Sequence, residues 1–234
     1  MNKPKINHFY SIIIVLIIGL SAQNTIAQDF RLGFKGTPVF SSIKPGSDYN
    51  NSTGTKIGFS YGLIFDYFLK EHYAVETEFG ISSLGGNIEY SKADTTISSA
   101  IKSNFVEVPI TIKLLTDNIN GKMKVFGKFG MNLGFATKSS AVISYKKNGV
   151  EYAKDDMKDA SKYIQPLNVS LVIGGGVEYN LAKNLDLILG LTYTNGLLNT
   201  MKSPSIYRLN TSNPSIKAFD ADMNYFAINV GLLF

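Results

Sequence analysis

Lys56-Ile-Gly-Phe-Ser-Tyr-Gly-Leu-Ile-Phe-Asp-Tyr67 sets Ile57, Phe59, Tyr61, Leu63, Phe65 and Tyr67 on one side of an extended chain. Lys56, Gly58, Ser60, Gly62, Ile64 and Asp66 fall on the other side. Side chains of a strand point alternately to its two faces, so this run specifies a strand with one greasy face and one small or polar face. The stretch also contains Gly58-Phe-Ser60-Tyr-Gly62, a literal match to the G-x-S-x-G pattern of a hydrolase nucleophile. A nucleophile elbow needs a sharp turn from strand into helix, and Ser60 lies in the middle of an unbroken alternation. The mature chain's histidine, His72, is a dozen residues away, roughly 40 Å along an extended chain at about 3.3 Å per residue.

The same period recurs on both sides of this segment. Phe30, Leu32 and Phe34 alternate with Arg31, Gly33 and Lys35, and Tyr73, Val75, Thr77, Phe79 and Ile81 alternate with Ala74, Glu76, Glu78, Gly80 and Ser82. Further strands are expected near 105–114, 123–135, 167–179 and 185–194. The last segment, Asn224–Phe234, places Phe226, Ile228, Val230, Leu232 and Phe234 opposite Tyr225, Ala227, Asn229, Gly231 and Leu233. That makes eight strands. Short turns are expected at 68–72, 116–121 and 180–184, and long links at 38–54, 83–103, 137–165 and 196–223. Strict alternation of short turns and long loops is the pattern of an outer-membrane barrel, with periplasmic turns, extracellular loops and both termini on the short-turn side.

Which face is charged separates a membrane barrel from a water-soluble one. A lipocalin-like barrel turns its apolar face inward and carries dense charge outside. Here the polar face is crowded with glycine and small residues, while the apolar face bears large Leu, Phe, Ile and Tyr. Phe30, Tyr67, Tyr73, Tyr179 and Phe234 are expected to form the periplasmic aromatic girdle. Arg31, Lys35, Lys56, Asp66, Glu76, Glu78, Glu107, Lys113, Lys128, Glu178 and Asp186 are then directed inward. Eight strands enclose little more than their own side chains, so these charges are expected to form a paired plug and not an open channel.

The N-terminus carries Lys3 and Lys5, an apolar run from Ile12 to Leu20, and Thr25-Ile26-Ala27 as small residues before Gln28. This is the form of a cleaved secretory signal peptide over residues 1–27, leaving residues 28–234 as one barrel domain. The apolar core is about half of the roughly 20 residues a spanning helix needs. Residues 1–27 hold two lysines and no acid, so the charge falls from +5 to +3, with 21 basic and 18 acidic residues remaining. That balance does not point to nucleic acid. The chain has no cysteine, which excludes a lipidated N-terminal Cys, disulfides and thiol chemistry.

Among the long links, Asn148-Gly149 is a type I′ hairpin signal that would extend the barrel wall, and Lys154 to Tyr163 is expected as a short helix. Lys146 to Lys162 is of mixed sign and is expected as a solvated loop tip, with lipopolysaccharide contact as the alternative. Asp220, Asp222 and Asn224 have the spacing of the first three ligands of a calcium loop, but Tyr225 and Gly231 replace the glycine and glutamate that such a loop requires. Gly174-Gly175-Gly176 precedes no helix pattern and is expected to ease curvature inside a strand. No cofactor and no metal site is expected.

Phe105-Val-Glu-Val-Pro109, Gly127-Lys-Phe-Gly130, Gly174-Gly-Gly-Val-Glu178-Tyr179 and the aromatic C-terminus together resemble the PorT-like outer-membrane β-barrel proteins of Bacteroidota. The resemblance implies an all-β, eight-stranded antiparallel up-and-down transmembrane barrel. It also implies recognition of the terminal Phe234 by the barrel-assembly machinery. Some PorT-like proteins serve a protein-secretion machinery. The function expected is therefore a non-enzymatic structural, adhesion or secretion-assembly component in contact with outer-membrane lipid and other envelope proteins. The alternatives are a narrow channel for small solutes and a lipid-modifying enzyme. Structural or assembly roles are expected of Phe234, Tyr225, Glu107 and Pro109, the last two as an inward charge and a strand irregularity.

Overall fold

The computed structural model describes residues 30–46, 50–92, 94–202 and 221–234. The expected signal peptide lies outside the described residues. Nine strands form one antiparallel sheet: β1 (Phe30–Pro45), β2 (Asn50–Lys70), β3 (Tyr73–Lys92), β4 (Thr95–Leu115), β5 (Met123–Lys147), β6 (Val150–Met157), β7 (Leu167–Ala182), β8 (Leu185–Gly196) and β9 (Ala221–Leu233). Eight of them close into a ring in the order β4-β3-β2-β1-β9-β8-β7-β5, with β5 pairing back onto β4. The first and last strands meet in register from Gly33 opposite Leu233 to Pro45 opposite Ala221. Phe234 continues that seam: its N–H donates to the Leu32 carbonyl at 2.8 Å and its carbonyl accepts from Leu32 at 3.0 Å. Closure leaves no sheet edge in the ring, which lets a barrel present apolar walls to lipid.

Alternation sorts the wall as the sequence pattern requires. Phe34, Phe59, Leu63, Phe79, Phe129 and Leu191 are among the many large apolar residues exposed on the outer surface. Phe30, Tyr67, Tyr73 and Tyr179, each exposed, gather at the end that carries the short turns and residue 234. This is called the terminal end below. Close strand contact there depends on missing side chains: a Cβ on Gly176 would stand 2.2 Å from the Leu189 carbonyl oxygen and 2.9 Å from the Phe126 ring, which lies across this strand inside the barrel. The glycine run 174–176 is thus a strand segment, as expected.

The other end differs from the sequence expectation. Residues 38–54, 83–103 and most of 137–165 are not loops: β1 and β2 are separated by residues 46–49, β3 and β4 by residues 93–94. The strands continue past the apolar belt as a distal extension of the wall, and β5 alone, 25 residues long, spans roughly 80 Å at about 3.3 Å per residue. Serine and threonine, which marked these segments as solvated, are equally at home on the outside of a half-buried strand. Of the link at 196–223, residues 203–220 lie outside the described residues.

Asn148 and Gly149 both have positive φ, 51° and 79°, and turn β5 into β6 as the hairpin signal predicts. The expected helix over Lys154 to Tyr163 is corrected: Lys154–Met157 completes β6, and only Ser161–Tyr163 forms one 3-10 turn. Strand pairing with Ala141–Lys147 takes up the backbone groups a helix would have bonded internally. Asp159 accepts the Ser161 N–H at 3.0 Å, and that bond holds its carboxyl below the ordinary range.

Candidate functional site

Inside the terminal half, inward side chains from seven of the eight ring strands meet in one charged network. Arg31 of β1 reaches Asp66 of β2 at 3.0 Å, Asp186 of β8 at 2.9 Å and both oxygens of Glu178 of β7 at 2.9 and 3.1 Å. Lys113 of β4 is fully buried, and its ammonium contacts Asp66 at 2.8 Å, Glu76 of β3 at 2.9 Å and Glu178 at 2.7 Å. A lysine has three donors and no acceptor, so three carboxylates satisfy it. Lys128 of β5 bridges Glu76 and Glu78, and Lys35 of β1 bonds Glu78. Arg31 also stacks over Phe68 at 4.7 Å and Lys113 over Phe126 at 4.9 Å, so the cations are held between acids and aromatic faces.

Further along the barrel the charges give way to neutral polar groups. Glu107 of β4 accepts from Ser82, from Asn132 at 2.6 Å and from the Tyr225 hydroxyl of β9 at 2.9 Å. Asn229 donates to Thr192 at 2.7 Å and accepts from Thr37 at 3.3 Å. These groups line a cavity of about 40 Å³, between Lys35, Glu78, Glu107, Asn132, Tyr225 and Asn229. By volume it has room for about three waters.

Above the cavity the interior changes character again. Val39, Ile43, Leu84, Ile88, Ile97, Ile101, Phe105, Ile143 and Met223 pack into an apolar core within the distal extension. The segment after β6 closes it: Tyr163, Ile164 and Met201 are buried, and Gln165 N–H donates to the Thr200 carbonyl at 2.8 Å. The outer face turns polar at the same level, with Ser98, Asn104, Lys138 and Ser144 pointing away from the core. One bulge makes this possible on β5. Asn104 pairs with Lys138 and Phe105 with Ala136, leaving Thr137 unpaired, so Phe135 faces outward and Ser139, Ala141 and Ile143 face inward.

The sequence-predicted residues therefore separate into two groups. Nine of the eleven inward charges enter the network, Arg31, Lys35, Asp66, Glu76, Glu78, Lys113, Lys128, Glu178 and Asp186, and Glu107 also faces inward but bonds the neutral groups beyond it. Lys56 does not face inward. The β2–β3 ladder is interrupted between Thr55 and Ser60, Ile57 stands 76% exposed, and the Lys56 stem lies across the Gly85 backbone of β3. Outward displacement of β2 removes this lysine from the lumen. Pro109 stands at a gap in its ladder: the β3–β4 pairing skips from Thr77 opposite Ile110 to Gly80 opposite Glu107, and Thr77 donates its hydroxyl to the Pro109 carbonyl at 3.0 Å. Tyr225 and Glu107 meet, which the sequence spacing of 118 residues concealed.

The hydrolase motif gains no support. Ser60 lies mid-strand inside the barrel, 2.8 Å from the Ser82 hydroxyl, whereas His72 sits in the turn between β2 and β3, 3.6 Å from Asp117. Glu71 and His72 of that turn cluster with Asp117 of the neighbouring β4–β5 turn. Of the calcium-like triplet, Asp220 lies outside the described residues. Asp222 and Asn224 sit within the β9 ladder opposite Lys44 and Ser42, and not in a loop.

A closed ring of eight antiparallel strands, apolar outside and charged inside, agrees with a sequence comparison: the family described as outer membrane protein beta-barrel domain matches residues 22–202. The chain belongs to this family. Outer membrane protein beta-barrel domains reside in the outer membrane, so the exposed apolar belt is the surface this chain presents to lipid. No curated protein matches the sequence. Similar solved structures include Neisserial surface protein A, at 13% identity and TM-score 0.45, covering 87% of this chain and 95% of that one. OprG from Pseudomonas aeruginosa is 12% identical with TM-score 0.47, covering 88% and 96%. Ail, the attachment invasion locus protein of Yersinia pestis, is 13% identical with TM-score 0.39, covering 88% and 100%. At these identities each is a likeness of barrel form.

Proposed function

We propose that this outer-membrane barrel is a non-enzymatic envelope component of the PorT-like kind, working as a structural, adhesion or secretion-assembly element through its distal extension. The observation that carries this reading is the sequence of seals along the axis. Paired charges fill the terminal half, a cavity of about 40 Å³ follows, and an apolar core occupies the distal half. A solute path through it would have to break buried ion pairs and wet a dry core, which weighs against a channel. What remains available to partners is the outer wall of the extension.

In this reading residues 1–27 are a signal peptide removed on export, the terminal end faces the periplasm and the distal hairpins face outward. The assembly machinery engages the C-terminal strand, where the Phe234 ring lies 6.1 Å from Phe34 across the closing seam. Tyr225, Glu107 and Pro109 then serve the barrel's structure, the first two by tying β9 to β4. The test joins architecture to role. Protease added to intact cells should clip near Asn148-Gly149 and leave a barrel core, and cross-linking from the β5–β6 hairpin should recover envelope or secretion-system proteins. Deleting Phe234 should lower the amount of folded, heat-modifiable barrel. Protection of the hairpin in intact cells would reverse the orientation, and normal insertion without Phe234 would remove the assembly role.

A further inference from the structure

The lysine that left the lumen lies at the boundary of the apolar belt. Ser41 of β1 fills the break in the β2–β3 ladder: its hydroxyl donates to the Lys56 carbonyl at 3.3 Å and accepts the Gly85 N–H at 2.8 Å. β2 is thereby lifted outward, and Lys56 runs over the outer side of β3 at Gly85. A Cβ on Gly85 would stand 2.2 Å from the Ile101 carbonyl oxygen, so the β3–β4 contact requires glycine, and the bare backbone leaves the Lys56 stem lying within 3.1 Å of where that Cβ would be. Gly85 pairs directly with Lys102 of β4, which is exposed, so the Lys56 stem and Lys102 share one patch of the outer face and bring like charges together. Lys138 of β5, opposite Asn104, stands on the next strand of the same outer face. Among the described residues neither Lys56 nor Lys102 forms an ion pair, whereas Lys138 at the margin also faces the Asp159 carboxylate. Ser83, two residues before Gly85 on the same face, keeps a hydroxyl without a partner.

Holding two like charges together without an acid is unfavourable unless an anion joins them. Immediately below lie Ile57, Ile81 and Phe135, exposed on the lipid-facing wall. We propose that Lys56 and Lys102, with Lys138 at the margin, clasp the phosphate of a membrane-lipid headgroup whose acyl chains lie along that wall. The occupant follows from continuity with the apolar belt and from charge: one molecule that is greasy below and anionic above fits both surfaces at once. The clasp needs a headgroup at this level of the wall and holds for either orientation of the barrel. Gly85 contributes by its absence of a side chain, and Ser41 by fixing the step in β2.

Native mass spectrometry of the full barrel released from detergent provides the test, with phosphatidic acid and diacylglycerol of identical acyl chains as probes. The wild-type protein should retain phosphatidic acid preferentially. At about 1 kcal/mol per lysine near a lipid surface, Lys56→Gln/Lys102→Gln should lose about thirtyfold of that preference and each single variant about fivefold. Lys56→Arg/Lys102→Arg should keep it, and Lys146→Gln, on the distal hairpin, should not change it. Heat-modifiable migration establishes that each variant is folded. The proposal is overturned if the folded double Gln variant retains wild-type preference, or if Lys146→Gln costs as much as the double change.

Discussion

The terminal and distal halves of this barrel are built from the same strands with opposite rules. In the terminal half large apolar side chains face out and acids and bases face in; in the distal half isoleucines face in, interspersed with small serines such as Ser99, Ser103 and Ser139, and lysines, asparagines and other serines face out. Nothing in the backbone marks the change except one bulge at Thr137 and the outward step of β2. What reverses is the solvent. Where lipid surrounds the wall, burial of apolar surface gives no advantage to the interior, and cohesion comes from pairing charges across the lumen. Where water surrounds it, the hydrophobic effect operates as in any soluble protein and gathers Ile43, Ile88, Ile97 and Ile101 inside.

Removing one member of the charged network gives the largest expected effect. Lys113→Met leaves Asp66, Glu76 and Glu178 without their shared cation in a buried position. Breaking a buried pair in this one-sided way costs about 3–5 kcal/mol. Urea unfolding in lipid vesicles should show the whole barrel destabilised, because the network ties strands from both sides of the closing seam. A loss below about 1 kcal/mol would mean that the terminal half is held by its ladders alone, and the contrast with the distal half would weaken.

The distal counterpart is Ile88→Ala, at a fully buried site in the apolar core. Truncating a core isoleucine costs about 2–5 kcal/mol. The cost should appear locally, as faster hydrogen exchange in residues 84–92 and 95–105, while the terminal strands keep their protection. Loss of protection around Lys113 as well would show that the two interiors form one cooperative unit. The outer faces supply a matched pair. Leu63→Arg, in the exposed belt, should cost about 2–4 kcal/mol if it lies near the bilayer midplane. Ser98→Arg, outward on the distal wall, should fall within about 0.5 kcal/mol. Equal costs would mean that the apolar belt extends over the distal wall.

The terminal half was legible in the sequence because its alternation is extreme. Ile57 to Tyr67 or Leu185 to Tyr193 can only be strands with one lipid-facing side, and the inward direction of the charges follows from parity. Their partners were not legible, since Arg31 and Asp186 stand 155 residues apart and meet only when the ring closes. The distal half was misread as loops for two physical reasons. Its inward residues are interspersed with serine and glycine, as in Ile97-Ser-Ser-Ala-Ile101, which dilutes the apolar signal. On β5 the apolar residues keep to odd positions from Phe129 to Phe135 and again from Ala141 to Tyr145, but the bulge at Thr137 turns that face from lipid to interior, a reversal that sequence period alone does not show. The continued period through Ile97, Ile101 and Phe105 was nevertheless present. Lys56 escaped parity altogether, because its strand leaves the plane of the sheet where the ladder breaks.

The most local expected effect tests how far the distal rules reach. β6 is the outer edge strand, paired with the ring along Ala141–Lys147 of β5, and the hairpin tip is tied to the β3–β4 turn by the Asn148 N–H, which donates to the Asp94 carbonyl at 2.8 Å. Gly149 at its tip has φ +79° with nothing within 4 Å of where a Cβ would stand, so Gly149→Ala meets backbone strain and no clash. A left-handed residue with a side chain costs about 1 kcal/mol or slightly more. That is enough to open a two-stranded hairpin part of the time and too little to disturb a closed barrel. Limited proteolysis should cut the variant several-fold faster within residues 146–157, and urea unfolding of the barrel should be unchanged. If unfolding shifts instead, the hairpin belongs to the cooperative core of the extension, and the distal half is bound together more tightly than its exposed outer strand suggests.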